Sequence, residues 1–150
     1  MNYFNKKKYK KISFDIDILA NESLLLKEIN NKKILVIGGA GIIGSSYIKQ
    51  FLKFKPSKIT VVDINENGLT ELTRDLRSSN LLDYNPEYIT YPVNLLSDTF
   101  DKIFNSDKWD VVANFSAHKH VRSEKDKISV EALIKNNVFG AIKLLNLCEG

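Results

Sequence analysis

The chain has 150 residues, of which 43% are hydrophobic and 27% are charged, so a single soluble domain with a buried core is expected. The formal net charge is +4, and lysines crowd the first 11 residues, which leaves the remainder close to neutral. No apolar run approaches the roughly 18 residues of a membrane span, and the single Cys148 excludes an internal disulfide. We therefore expect a cytoplasmic protein.

Residues 1–31 form a preamble, predicted to be a basic tail followed by a short helix. The lysines of the tail could contact nucleic acid or an anionic surface, or they could belong to a solvated terminus. We favour the solvated terminus and expect no nucleic-acid partner, because no nucleic-acid-binding motif follows. Asn21 is the predicted N-cap of the helix, whose apolar side would run from Leu24 to Ile29.

From residue 32 onward, apolar strand-like runs alternate with helical patterns. The predicted strands are 33–38, 58–63, 87–93 and 110–117, and the predicted helices are 42–54, 66–79, 98–106 and 129–148. Because each crossover helix returns the chain to the same edge, this order predicts a parallel sheet. We predict a Rossmann-type α/β domain over 32–150, with helices on both faces. It has about four strands where a doubly wound dinucleotide fold has six, so we expect a part of a longer protein.

The long helical pattern at 129–148 carries apolar residues at helical spacing. We predict that this side faces the core. It comprises Leu133, Ile134, Val138, Ile142, Leu145 and Cys148. Cys148 is expected to be a buried small hydrophobic residue, since no nearby base would activate its thiol.

The strongest local signal is the glycine-rich turn VIGGAGIIG at 36–44. Gly38, Gly41 and Gly44 are spaced as G-x-x-G-x-x-G between a predicted strand and a predicted helix. The first glycine permits the tight turn, the second lets the backbone approach a pyrophosphate, and the third brings the helix close to the sheet. Free N–H groups at the start of the helix would face the phosphates. The pattern predicts a dinucleotide site.

An acidic residue, Asp63, ends the second predicted strand. A carboxylate at this position can accept hydrogen bonds from the adenosine ribose hydroxyls and repels a 2′-phosphate. NAD is therefore favoured over NADP as the cofactor. Asp63 could instead cap the helix that begins near Glu66, but the glycine turn before it favours the ligand role.

Three pieces of the sequence also point to a family. They are the glycine turn followed by Ser45, NFSAHKHV at 114–121, and EALIKNNVFGA at 131–141. Together they resemble the extended short-chain dehydrogenases/reductases, the NAD-dependent epimerases and dehydratases. Within that branch they are most similar to the polysaccharide-biosynthesis 4,6-dehydratases of UDP-N-acetylglucosamine. The resemblance covers most of residues 15–149, although Asn94 stands where an aspartate is common.

The resemblance implies a set of cofactor-binding residues, which we take over position by position. They are Gly38, Gly41, Ile42 and Ile43 at the pyrophosphate, Asp63 and Ile64 at the adenosine ribose, Asn94 and Leu95 at the adenine, and Phe115, Ser116 and Ala117 under the nicotinamide-side ribose. Asn137 would satisfy backbone groups from a helix behind the site. Lys119 and His120 are further candidates for contact with substrate or cofactor. No metal site is expected, since His118 and His120 lack an acidic or cysteine partner at a suitable spacing.

The resemblance also implies a function for the intact enzyme. It would be a 4,6-dehydratase of a UDP-N-acetylhexosamine in polysaccharide biosynthesis, in which NAD takes hydride from the sugar and returns it after loss of water. The first alternative is a nucleotide-sugar 4-epimerase or oxidoreductase of the same superfamily. The second is a non-catalytic, NAD-binding regulatory module.

The catalytic residues of this family would lie outside the chain. Its Tyr-x-x-x-Lys pair lies on a later helix that follows a fifth strand, so no catalytic residue is assigned and the chain alone is expected to be inactive. Two copies could pair through the helix at 129–148, as extended members of the superfamily often do.

Overall fold

The structure, a computed structural model, describes residues 14–118 and 126–149. Four parallel strands form one sheet in the order β3-β2-β1-β4. They are β1 (Lys33–Ile37), β2 (Lys58–Asp63), β3 (Glu87–Pro92) and β4 (Val111–Asn114). The predicted Rossmann-type parallel sheet is confirmed. The chain moves outward from β1 to β3 and then crosses back to place β4 on the other side of β1, which is the switch in strand order where such sheets bind ligands.

Helices precede the sheet and connect its strands. They are α1 (Phe14–Ala20), α2 (Glu22–Ile29), α3 (Ile42–Leu52), α4 (Glu66–Ser78), α5 (Asp98–Asn105), α6 (Lys127–Ile134) and α7 (Gly140–Glu149), with a π-helical segment (Lys135–Phe139) joining α6 to α7. The helix α1 comes in addition to the one predicted in the preamble. Over the ranges that the structure describes, every helix is too short or too polar to cross a membrane.

Both faces of the sheet are covered, because alternate residues of each strand point to opposite sides. On β1, Ile34 and Val36 pack with α3 and α4, whereas Leu35 and Ile37 pack with α5 and α7. All four side chains are at most 2% exposed. The continuous apolar run at 34–37 is thus explained by burial on both faces.

The predicted buried side of the last helix is wrong. Ile134, Val138, Ile142 and Leu145 are 42–61% exposed, and Cys148 is also exposed. Only Leu133, among the predicted residues, is half-buried. Gly140 and Leu144 face the core instead. The π-helical segment adds a residue to one turn and thereby rotates the helix that follows, so a regular helical period does not describe this stretch.

Asn21 occupies the predicted N-cap position, but its side chain does not cap the helix. Asn21 precedes α2 as its N-cap, yet its side chain makes no capping hydrogen bond to that helix. Its amide donates instead to the carbonyl oxygen of Asp17 at 2.8 Å, in the last turn of α1. A preceding helix thus competes for the side chain that the sequence assigns to the following one.

Candidate functional site

A cleft opens at the carboxyl edge of the sheet, where all four strands end. Its lining comes from the exits of the four strands and from one helix residue. These residues are Ile37, Gly38, Gly41, Asp63, Ile64, Val93, Asn94, Leu95, Phe115, Ser116, Ala117, His118 and Asn136. The cleft therefore lies where an open parallel sheet binds its ligand.

The glycine turn forms the floor of this cleft. Gly38 has a φ of +74°, which disfavours any residue with a side chain. A β-carbon at Gly38 would also overlap the backbone of Phe115 and Ser116, so the exits of β1 and β4 touch through this glycine. Gly41 is the N-cap of α3, with a φ of −72° and open space beside it. The start of α3, where the first N–H groups of the helix have no partner within it, thus borders the cleft at Gly41.

The carboxylate of Asp63 lies directly beside the glycine turn. One of its oxygens accepts a hydrogen bond from the backbone N–H of Ala40 at 2.9 Å, and the other accepts one from the N–H of Asn65 at 3.0 Å. Each carboxylate oxygen has a further lone pair to offer. The following helix is capped by Asn65, whose side chain accepts from the N–H of Gly68, so the capping role considered for Asp63 belongs to Asn65.

The exit of β3 forms a tight polar turn over 94–97. The carbonyl oxygen of Asn94 accepts hydrogen bonds from both the N–H and the hydroxyl of Ser97, and its side-chain oxygen accepts from the N–H of Leu96 at 2.8 Å. Leu95 is buried, with 4% of its surface exposed. The turn therefore presents one polar and one apolar residue to the same part of the cleft.

The exit of β4 is held by two asparagines. The side-chain oxygen of Asn114 accepts hydrogen bonds from the N–H and the hydroxyl of Ser116. The carboxamide of Asn137 accepts from the N–H of His118 at 2.8 Å and donates to its carbonyl oxygen at 2.9 Å. The expectation that Asn137 satisfies backbone groups behind the site is confirmed.

An aromatic cluster supports the same exit from the α3 side of the sheet. The rings of Tyr47 and Phe51 stack at 4.0 Å between centroids, and Tyr47 lies 4.9 Å from the ring of Phe115. Burial raises the pKa of Tyr47 to about 12, so its phenol is neutral at physiological pH. Tyr47 therefore packs as an aromatic support and brings no charge to the cleft.

The structure brings most of the predicted site residues together. The exceptions are Ile42 and Ile43, which are 86% and 60% exposed at the start of α3 and do not line the cleft. Lys119 and His120 lie outside the described residues. Asn136, from the π-helical segment, lines the cleft without having been predicted, and its position beside Asn137 in the sequence is the one signal that could have indicated it.

Comparison with known proteins gives a family match. The family described as "Polysaccharide biosynthesis protein" matches residues 34–150. A dTDP-D-glucose 4,6-dehydratase of Dictyostelium discoideum is 35% identical over 139 residues, covering 81% of this chain and 28% of the relative. The capsular polysaccharide biosynthesis protein CapD of Staphylococcus aureus is 30% identical over 125 residues, covering 79% of this chain and 19% of the relative. The chain thus spans less than a third of the length of these two relatives.

A solved structure supports the fold. The Bordetella bronchiseptica enzyme WbmF, in complex with NAD⁺ and UDP, superimposes with a TM-score of 0.59 at 19% identity. The match covers 80% of this chain and 32% of WbmF. The sequence match, which extends over most of the chain, confirms the resemblance inferred from the motifs: the chain belongs to the polysaccharide biosynthesis protein family.

Proposed function

We propose that this chain binds NAD(H) across the cleft at the carboxyl edge of its sheet. The observation that carries the proposal is the position of Asp63, whose carboxylate is fixed by the N–H of Ala40 and so lies next to the start of α3. A dinucleotide needs both elements at once, an acceptor for ribose hydroxyls and a helix start for the pyrophosphate.

The remaining assignments follow the order of the strand exits along the cleft. The pyrophosphate would pass Gly38 and Gly41, with the backbone N–H groups of Ile42 and Ile43 directed at it. Asp63 and Ile64 would hold the adenosine ribose.

The two outer strand exits would take the ends of the dinucleotide. Asn94 and Leu95 would contact the adenine, and residues 115–117 would lie under the nicotinamide-side ribose. Open space at Gly41 fits this path, because a backbone without a side chain can approach the phosphates there.

The preference for NAD over NADP rests on charge. Both oxygens of Asp63 already accept backbone hydrogen bonds, which fixes the position of the carboxylate. In the proposed binding mode an adenosine 2′-phosphate would lie beside it. A phosphate there would be repelled by the like charge of the carboxylate. It also could not donate the hydrogen bond that a ribose hydroxyl donates to Asp63.

For the intact protein we propose a nucleotide-sugar 4,6-dehydratase that acts on a UDP-N-acetylhexosamine in polysaccharide biosynthesis. The family match and the dehydratase among the relatives support the reaction class, and the UDP bound by WbmF supports the uridine nucleotide. Bound NAD would supply the hydride acceptor and donor for the sugar. The residues of this chain would bind and orient the dinucleotide, and the Asn137 contacts would keep the β4 exit in place beneath it.

Calorimetric titration of the chain with NAD⁺ and with NADP⁺ tests the cofactor assignment. We expect NAD⁺ to bind more tightly, and Asp63→Asn to weaken NAD⁺ binding by about tenfold or more while narrowing the preference over NADP⁺. Asp83→Asn, at an exposed carboxylate in a loop away from the cleft, is the matched control and should leave both affinities unchanged. Tighter binding of NADP⁺, or equal affinities in the wild type and Asp63→Asn, would refute the role of Asp63.

A further inference from the structure

One lysine of the last helix reaches across to the turn that follows β3. The ammonium group of Lys143, on α7, donates a hydrogen bond to the carbonyl oxygen of Ser97 at 3.0 Å. It also forms an ion pair with the carboxylate of Asp101 at 2.7 Å, and it lies 5.9 Å from the ring centroid of the buried Phe100. Since the Lys143 side chain is only 23% exposed, these contacts hold it in a largely desolvated position.

The same helix touches this turn a second time, one turn earlier. A β-carbon at Gly140 would lie 3.1 Å from the side chain of Leu95, so the helix backbone packs directly on that leucine. Leu95 and Leu144 belong to one buried cluster with Phe100. The start of α7 is therefore joined to the 94–101 segment by an apolar contact at Leu95 and a polar contact at Ser97.

Lys143 contacts Ser97 at one end of the 94–97 turn, and Asn94 and Leu95 at the other end line the cleft. The N–H and the hydroxyl of Ser97 both donate to the carbonyl oxygen of Asn94, and the Asn94 side chain closes the turn on Leu96. Movement of Ser97 would therefore move Asn94, which is exposed. A fixed Ser97 keeps Asn94 and Leu95 directed at the cleft.

We infer that Lys143 is a positioning residue for the purine base of the dinucleotide. Through Ser97 and Asp101 it holds the 94–97 turn in the form that encloses the base, although Lys143 itself does not line the cleft. This inference rests on the proposed binding of NAD. It assigns the base selectivity of the cleft in part to a residue on α7, which follows β3 by some fifty positions in the sequence.

The test compares NAD⁺ with nicotinamide ethenoadenine dinucleotide, whose extra ring covers the Watson–Crick edge of the purine. If the turn encloses that edge, the wild type binds the etheno analogue about tenfold more weakly than NAD⁺. Lys143→Met keeps an unbranched apolar side chain of nearly the same length but loses the charge and the donor. We expect this variant to bind NAD⁺ about fivefold more weakly than the wild type does. Its preference for NAD⁺ over the etheno analogue should fall to about threefold or less.

Two further variants separate positioning from a general loss of stability. Lys143→Arg retains the charge and a donor and should restore most of the base preference. Lys135→Met removes an exposed ion pair with Glu131 on the same helical stretch and should behave like the wild type. Amide hydrogen exchange on the free chain gives a readout without ligand. We expect Leu96 and Ser97 to exchange faster in Lys143→Met but not in Lys135→Met.

The outcomes distinguish this inference from the proposal on which it rests. Weak binding of the etheno analogue by the wild type, a smaller preference in Lys143→Met and its recovery in Lys143→Arg would support the role of Lys143. NAD⁺ binding with the same base preference in Lys143→Met would overturn that role and leave the cofactor assignment standing. If the folded wild type bound neither dinucleotide, the proposed function would fall and the inference with it.

Discussion

The backbone of Gly44 packs so closely against Gly38 that a β-carbon at Gly44 would overlap the carbonyl oxygen of Gly38. The same β-carbon would lie 2.8 Å from the α-carbon of Gly39. At Gly41, by contrast, the nearest atom would be that same Gly38 oxygen at 3.5 Å, an ordinary van der Waals distance. Of the glycines in the turn, Gly44 is thus required by the fold, whereas Gly41 leaves space that a ligand can use.

Gly41→Ala is expected to separate ligand binding from folding. Because the φ of Gly41 is −72° and its surroundings are open, alanine fits, at a cost of about 1 kcal/mol for a poorer helix N-cap. If a pyrophosphate passes this position, the added methyl group would collide with it, and NAD⁺ affinity should fall by about tenfold or more. Urea denaturation and calorimetric titration of the same sample measure the two effects.

Gly44→Ala provides the contrast. Here the methyl group has no space in the free protein, so we expect the free energy of unfolding to fall by about 1–3 kcal/mol or more. A Gly41→Ala chain that is folded and binds NAD⁺ as the wild type does would show that the open space at Gly41 does not face the phosphates. A Gly44→Ala chain of unchanged stability would contradict the packing at the start of α3.

Two substitutions of Asp63 should have different effects on stability. Asp63→Ala removes the acceptor for the N–H groups of Ala40 and Asn65, and the Ala40 group is partly buried. We expect the free energy of unfolding to fall by about 1–3 kcal/mol. Asp63→Asn keeps a side-chain oxygen for one of these donors, so its free energy of unfolding should fall by less than that of Asp63→Ala. Equal stabilities of the two variants in urea denaturation would contradict a structural role for these hydrogen bonds.

Much of the sheet and the cleft can be predicted from the sequence. The strand at 58–63 is predicted residue for residue, because β-branched apolar residues with turn residues on both sides leave little choice of structure. The carboxyl ends of parallel strands meet at one edge, so the residue after each predicted strand becomes a candidate for the site. Asp63, at the end of one strand, and Asn94 and Phe115, which the family resemblance places just beyond two others, line one cleft.

What the sequence does not predict depends on interactions between distant residues. The π-helical segment adds a residue to one turn and so rotates the helix that follows, which the apolar pattern of Ile134, Val138 and Ile142 does not reveal. The side of the last helix that faces the core is set by the close approach of Gly140 to Leu95. The contact of Lys143 with Ser97 likewise joins residues far apart in the sequence, and no local motif marks it.

Acid should destabilise the chain through Asp107, at the edge of the sheet opposite the cleft. Its carboxylate bonds Lys33 at 2.7 Å and Lys58 at 3.1 Å, two lysines that are direct neighbours on β1 and β2. The hydrogen bond from Lys33, then that from Lys58, holds the pKa of Asp107 well below its usual range. The folded state therefore binds this proton less readily than the unfolded state, so the stabilisation is complete above a pH of about 4 and is lost as pH falls below it.

The measurement is the urea midpoint of unfolding between neutral pH and about pH 3. We expect the midpoint of the wild type to fall more steeply with acid than that of Asp107→Asn, which has no carboxylate to protonate at this position. Asp83→Asn, an exposed carboxylate without an ion pair in the described part of the chain, should follow the wild type. Parallel curves for wild type and Asp107→Asn would mean that other carboxylates cause the acid sensitivity.

Asn137 should control the local order of the β4 exit more than the stability of the chain. In Asn137→Ala the N–H and the carbonyl of His118 lose both partners, but His118 is exposed and water can replace them. We therefore expect a loss of only about 1 kcal/mol in the free energy of unfolding, and exchange of the His118 amide that is faster by about tenfold or more. Lys135→Met is the control, because Lys135 pairs with the exposed Glu131 and takes no part in the contacts between Asn137 and His118. If the His118 amide exchanged at the same rate in both variants, the two hydrogen bonds between Asn137 and His118 would not be what orders this exit.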